Sequence, residues 1–291
     1  AEGHINAMVK RAISAGVDPL KVLWSACVTP VKTYGLELGL LQAGDAADMI
    51  VIDNLQHFNV LKTYINGSIV AEQGKSLLES VQVEPVNHFH ANLQTPKNFT
   101  LRAKVPTIPV IEVIDGQLVT RKYDWSPDRN NEGVIQANTE QDILKIAVLN
   151  RYNKSKPAVA LIKNFGLKSG AIASSVAHDS HNIVAVGTSD EALAKAINLI
   201  IKEQGGISAV TDTEHHILPL PVAGIMTHAD AFETGKTYGQ MDDIAKEMGS
   251  TLSAPYMTLS FMALLVIPDI KLSDKGLFDG ETFEFMDVFE A

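Results

Sequence analysis

Ala171-Ile172-Ala173-Ser174-Ser175-Val176-Ala177-His178-Asp179-Ser180-His181-Asn182-Ile183-Val184-Ala185-Val186-Gly187 sets a polar run between two short apolar runs. The flanks are small or β-branched and predict two strands packed on a core. Residues 178 to 182 cannot continue that pattern. Imidazole, carboxylate, hydroxyl and amide are therefore gathered at a strand tip. Such a tip is either a solvated turn, with Asp179 and Asn182 satisfying backbone amides, or part of a site.

Working outward, Asp190 to Glu203 has Ala192, Leu193, Ala196, Ile197, Leu199 and Ile200 on one face and predicts an amphipathic helix, ended by Gly205-Gly206. Ile207 to Val210 and Ala158 to Ile162 read as strands, and Thr139 to Asn150 reads as a helix. Asp115-Gly116 joins Val110–Ile114 to Leu118–Tyr123 as a hairpin, followed by a polar stretch rich in Asn and Asp. Strands interspersed with helices predict an α/β (α+β) layer fold.

Toward the N-terminus, Ile5, Met8, Val9, Ala12 and Ile13 recur at helical spacing. Asp18-Pro19 predicts the start of a second helix, with Leu20, Leu23, Trp24 and Cys27 on its buried side. Thr29-Pro30 and Tyr34-Gly35 signal bends. Asp48 to Asp53 reads as a buried strand, and Asn66-Gly67 as a two-residue hairpin turn between residues 63–65 and 68–70. Pro85, Pro96 and Pro106, among polar residues, predict an irregular crossing between modules. The expected division is residues 1–35 as helices, 36–95 as a small β unit with its connector, and 96–291 as an α/β layer domain. The opening Ala1-Glu2-Gly3-His4 enters a helical pattern at once, and the chain reads as a piece of something longer.

The chain has 291 residues, is 46% hydrophobic, and carries a formal net charge of -10. An acidic surface without a basic stripe excludes a broad nucleic-acid interface. No apolar run approaches the roughly 20 residues that a membrane span needs, so no membrane partner is expected. Cys27 stands alone, which excludes a disulfide framework and a multi-thiolate zinc site and favours a reducing, cytoplasmic setting.

Three stretches carry a specific resemblance: Lys163 through Asn182, Leu218 through Gly224, and Pro255 through Phe261. They are similar to the bacterial adenine deaminases, and the likeness continues through Val266-Ile267-Pro268 and Gly276 to Asp279. Gly35-Leu36 with Gly44 to Asp53, then Val60 to Gly67, resembles the segment that follows the catalytic barrel in amidohydrolases generally. The resemblance implies the C-terminal part of such an enzyme: the end of an amidohydrolase barrel, a small β unit, and a C-terminal α/β layer domain. The reaction it implies is hydrolytic conversion of adenine to hypoxanthine and ammonia. It also implies a divalent metal, Mn or Fe, whose ligands come from upstream sequence; no metal is expected from these residues alone. A homo-oligomer, with adenine as the small-molecule partner, is the corresponding expectation. Zinc deaminase chemistry of the other kind needs Pro-Cys-x-x-Cys, which one cysteine cannot supply.

With that resemblance, His178, Asp179 and His181 are the catalytic candidates. The imidazoles would bond purine nitrogen, and Asp179 would fix a tautomer. Ser180, Asn182 and His4 are substrate-binding candidates; His4 lies at the start of a helix expected near the catalytic face, where a capping role competes. His88-Phe89-His90 has metal-pair spacing but reads as a polar connector. Glu214-His215-His216 and Thr227-His228-Ala229-Asp230 read as solvated loops, the latter departing from the Ser-Asp expected in relatives. Met257, Phe261 and Met262 read as core. A non-catalytic binding or oligomerisation module is the alternative.

Overall fold

A computed structural model describes residues 3–79, 81, 83–127 and 132–289. Ala1, Glu2 and part of the polar stretch after Tyr123, Asp128 to Asn131, lie outside them. The chain forms two compact units, Ala1–Val81 and Gln82–Ala291.

In the first unit, helices α1 (Ile5–Ser14), α2 (Pro19–Leu23) and α3 (Thr29–Tyr34) are followed by an antiparallel sheet. Its order is β1 (Met49–Ile52), β2 (Val60–Ile65), β3 (Ser68–Glu72) and β4 (Lys75–Ser76). Asp18 caps α2 as its side chain predicts, accepting from the Leu20 and Lys21 amides at 2.8 and 3.3 Å. Asn66-Gly67 makes the β2–β3 turn, with positive φ at both residues, the backbone a type I′ turn requires. Three expectations need correction. Thr29-Pro30 opens α3 instead of bending the chain, because Pro is tolerated in a helix's first turn. Leu20, Trp24 and Cys27 are exposed, as periodicity reports a shared face and not what covers it. β1 is an edge strand whose Ile50 and Val51 are open to solvent, so its apolar run does not mean burial.

The second unit is built on an eight-stranded sheet. Its strands in chain order are β5 (Ile108–Val113), β6 (Thr120–Trp125), β7 (Ile143–Leu149), β8 (Ala158–Lys163), β9 (Ala171–Ser174), β10 (Ile183–Gly187), β11 (Gly206–Val210) and β12 (His215–Pro219). The spatial order is β12-β11-β9-β10-β7-β8-β5-β6, with β5 and β8 parallel and the other pairings antiparallel. A three-stranded antiparallel sheet follows: β13 (Ile270–Ser273), β14 (Gly276–Asp279) and β15 (Glu284–Phe285). Helix α4 is Asp190–Glu203, α5 Ala231–Glu247 and α6 Pro255–Phe261.

Side-chain alternation along the central strands makes three layers. Ala147, Leu149, Ala171, Ala173, Ile183 and Ala185 face α4, where small alanines let the helix approach closely. Leu144, Ile146, Val148, Ile172, Val184 and Val186 face the opposite core, shared with residues of α5, α6, β13 and β14. Ser189 caps α4 through its side chain, and the left-handed Gln204 ends it. At Gly205, a Cβ would meet the Gly224 backbone and the Leu220 oxygen at 2.5 Å, so this return admits no side chain.

Residues 139–150, expected as a helix, contain strand β7, buried along its whole length. A strand covered on both faces loses its polar alternation, and a continuous apolar run is then indistinguishable from a buried helix.

Two lysines are fully buried, Lys145 on β7 and Lys271 on β13. Lys271 Nζ donates to the Leu118 carbonyl at 2.8 Å and Thr120 Oγ1 at 3.4 Å. Burial pulls its pKa down to about 8, against the charge of Asp269. Between about pH 8 and 10.5 the unfolded chain holds a proton that the folded chain releases, so stability rises with pH there. Relative to Lys271→Met, the parent should gain on the order of 3 kcal/mol across that window in urea unfolding. Equal pH slopes for both proteins would refute the assignment. No helix among the described residues is long and apolar enough to cross a membrane.

Candidate functional site

β9 and β10 pair antiparallel with Ser174 opposite Val184, so residues 175–182 form the tip between them. Both strands are buried throughout, as their apolar flanks predict.

The tip is anchored at its root. Ser175 Oγ donates to the Gly224 carbonyl at 2.6 Å and accepts from the Gly206 amide at 2.8 Å. The His178 amide donates to the Ser260 carbonyl at 2.9 Å, and the His181 amide to that of Ala177 at 2.6 Å. His178 is half-buried, its ring stacked on Phe261 with centroids 4.6 Å apart. His181 meets it edge-on at 5.9 Å. His181 Nδ1 is buried without a hydrogen-bond partner. Burial holds this imidazole below the usual histidine range, aided by the charges of His178 and Arg151 and opposed by Asp179. A neutral ring with an unsatisfied nitrogen is suited to accept from, or donate to, a ligand according to its tautomer.

Asp179 is exposed, and among the described residues no hydrogen bond joins its carboxylate to either imidazole. Its charge acts on His181, opposing the downward shift of that imidazole. Ser180 is exposed. Asn182 is buried, its Oδ1 accepting from the Arg151 amide at 3.3 Å. His4 occupies the N-cap position of α1 and makes no side-chain capping bond.

Arg151 is the residue that sequence reasoning missed. It is 4% exposed. Its Nε donates to the His181 carbonyl at 2.7 Å, Nη1 to Asn87 Oδ1 at 3.1 Å, and Nη2 to Tyr152 Oη at 3.0 Å. Tyr152 Oη in turn donates to the Ser180 carbonyl at 3.0 Å. The guanidinium also lies over the rings of Tyr152 and Phe89, at 4.5 and 5.8 Å from their centroids. Phe89, between His88 and His90, thus packs against the hub that holds the tip. No local motif marks Arg151; the available signal was an arginine directly following an apolar strand.

His178 lines a cavity of ≈ 520 Å³ with Ser174, Tyr238, Tyr256, Met257 and Ser260 among its walls. Among the described residues, no Asp, Glu, Lys or Arg lines it. Burial pushes both tyrosine phenols up, so they remain neutral, and Tyr256 Oη donates to the Ser208 carbonyl at 2.9 Å. A cavity of this size and apolar character suits a neutral small molecule. Met257, expected in the core, is half-open and faces this space; Met262 is buried as expected. Thr227 and Ala229 also line it, and Asp230 caps α5. His215 and His216, expected in a loop, lie on β12, whose pairing with β11 extends the sheet that far; His216 Nε2 is 3.2 Å from Glu214 Oε2.

Among the described residues, no group of three or more His, Cys, Asp or Glu is placed to hold a metal ion. The two tip imidazoles are His178, stacked on Phe261, and His181, edge-on to His178, and two such ligands alone do not make up a metal's coordination set. These residues do not fit a metal centre.

A family model described as adenine deaminase C-terminal domain matches residues 117–284. A second, described as amidohydrolase family, matches residues 2–70. The chain is 51% identical over 288 residues to an adenine deaminase of Sulfurovum sp. (strain NBC37-1), covering 99% of this chain and 52% of that protein. It is 47% identical over 291 residues to an adenine deaminase of Salinibacter ruber, covering 99% and 53%. It is 43% identical over 292 residues to one from Borreliella burgdorferi, covering 98% and 52%. The chain spans about half the length of the curated relatives it matches.

Proposed function

The chain belongs to the family of adenine deaminase C-terminal domains, and from that membership we propose that the whole protein hydrolyses adenine to hypoxanthine and ammonia. The observation that carries this reading is the family match across residues 117–284, a span that contains the whole 178–182 tip. Residues 1–35 are read as the end of the catalytic barrel and 36–95 as the amidohydrolase β unit with its connector, supported by the second match over residues 2–70. A divalent metal, Mn or Fe, belongs to this reading as a group held by residues other than these. The single cysteine supports a cytoplasmic setting, where adenine is met as a free base.

Within this chain, the proposed contribution is to hold and polarise the purine. His178 and His181 are the groups proposed to bond purine nitrogens or the departing ammonia, with Asp179 fixing an imidazole tautomer and its charge raising the pKa of His181. Ser180 is proposed as a polar contact at the tip, and His4 as a weaker one from α1. Asn182 is proposed to act through the loop conformation it fixes. The 291-residue chain alone should release no ammonia from adenine above buffer, because among the described residues no side chains group into a metal centre.

In the full-length protein, His178→Asn and His181→Asn should each lower turnover about 100-fold, with unchanged thermal midpoints. Undiminished ammonia release by both variants would remove the tip from the reaction. Joint loss of activity and folding would make the motif structural. The alternative of an assembly module draws on exposed Met226, Phe232 and Met257. It predicts a change in oligomeric mass instead of turnover when these are made polar.

A further inference from the structure

A second cavity of ≈ 690 Å³ lies in the second unit, and its walls reverse the charge balance of the chain. The protein as a whole has 34 acidic and 24 basic side chains. Lining this cavity are Lys97, Arg102, Lys156 and Lys275 against two carboxylates, Asp274 and Asp287. Both carboxylates are already engaged: Asp274 Oδ2 accepts from Asn150 Nδ2 at 2.8 Å, and Asp287 pairs with Lys104, a further cation at the same place.

The four lining cations come from three separate stretches of chain, Lys97 and Arg102 sharing one. Lys97 is on the 3₁₀ turn Pro96–Phe99, and Arg102 follows the isolated bridge at Leu101. Lys156 leads into β8, and Lys275 sits in the β13–β14 turn. The fold therefore brings them together from across the sequence. Packing does not require it, since the three lysines are exposed and like charges repel. Overall composition does not explain it either, because chance placement on this chain favours an acidic excess. Apolar residues share the lining with the cations: Leu101, Leu277 and Phe289 are among its walls.

We propose that this cavity binds an oligophosphate, with the phosphoryl oxygens on the cationic side chains and the apolar lining residues left to meet an attached ring. Arg102 offers a planar fork and the lysines point charges, the combination that phosphoryl groups recruit. The volume falls within the range of roughly 300–1,000 Å³ typical of small-molecule sites. This site is separate from the His178 cavity and does not depend on the deaminase reading.

Sodium pyrophosphate and ADP are titrated calorimetrically into the 291-residue chain at low salt. Saturable binding with Kd below about 1 mM is expected for both probes. Raising NaCl to about 0.5 M should weaken it strongly. The Lys156→Gln/Lys275→Gln double variant should bind about tenfold more weakly with an unchanged melting midpoint, and Asp287→Asn should bind more tightly. ADP binding more tightly than pyrophosphate would identify a nucleotide as the ligand; equal affinities would identify the bare phosphate chain. Absence of saturable heat for both probes, or parent-like affinity in the double variant, would overturn the proposal.

Discussion

Arg151→Ala should lower the unfolding free energy by about 3–5 kcal/mol and release the 178–182 tip from its support. Three side-chain hydrogen bonds from a buried guanidinium are lost at once, leaving the His181 carbonyl and Asn87 Oδ1 without their donors. Each such charge-assisted bond contributes about 1.5–3 kcal/mol, and bonds sharing one side chain do not add fully. Arg151→Lys should fall between parent and Ala, because an ammonium on a flexible stem cannot reach three divergent acceptors in the fixed geometry of a fork.

The same change should raise the pKa of His181, as one of the charges depressing it disappears. A histidine whose folded pKa is lowered stabilises the fold in its neutral form. That contribution is present above the unfolded value of about 6.5 and is lost as pH falls below it. Parent protein should therefore lose stability below that pH more steeply than Arg151→Ala. Urea unfolding across pH 5 to 8 and the imidazole NMR titration of His181 measure the two effects. A variant within about 1 kcal/mol of the parent, with His181 unmoved, would show that Arg151 does not brace the tip.

Lys145→Ala should be comparably damaging, at about 3–5 kcal/mol, because it strands a carboxylate. Lys145 stands on the α4 side of β7, where its Nζ donates to Asp190 Oδ1 at 2.5 Å and to the Phe99 carbonyl at 3.1 Å. Asp190 is the first residue of α4, so one ion pair ties the central strand to the start of the helix that covers it. Its side chain is mostly buried, at 14% exposed, and has little water to replace the lost ammonium. Lys145→Met with Asp190→Asn should recover most of the loss, since the stem volume returns and no unpaired charge remains. A double-mutant cycle in urea gives the coupling, and a Lys145→Ala cost below about 1 kcal/mol would refute it.

Signals confined to a few adjacent residues were legible in the sequence. The two hairpins with Asn66-Gly67 and Asp115-Gly116, the capped α2, the amphipathic α4, and the strands on either side of the tip all came from local pattern. β7 did not, because burial on both faces erased its period. The exposure of Leu20 and Trp24 was equally hidden: spacing says which side chains share a face, while what covers that face is set by distant residues. For the tip, chemistry was legible and support was not. His178 and His181 stand out by residue type, whereas the residues holding them, Asn87, Arg151, Gly224 and Ser260, are brought there by the fold alone.

The strands that carry the tip are interior to the sheet, β9 between β11 and β10, and β10 between β9 and β7. Their amides are protected on both edges and should exchange with deuterium only when the whole unit opens. Exposed amides between them, such as that of Asp179, are open to exchange from the native state. Thermal agitation at the tip is then expected to be decoupled from global unfolding, with its imidazoles carried on two interior strands. In the proposed role, ordering them around a ligand would take freedom from a few loop residues and not from a mobile domain, which would keep the entropic cost of binding small.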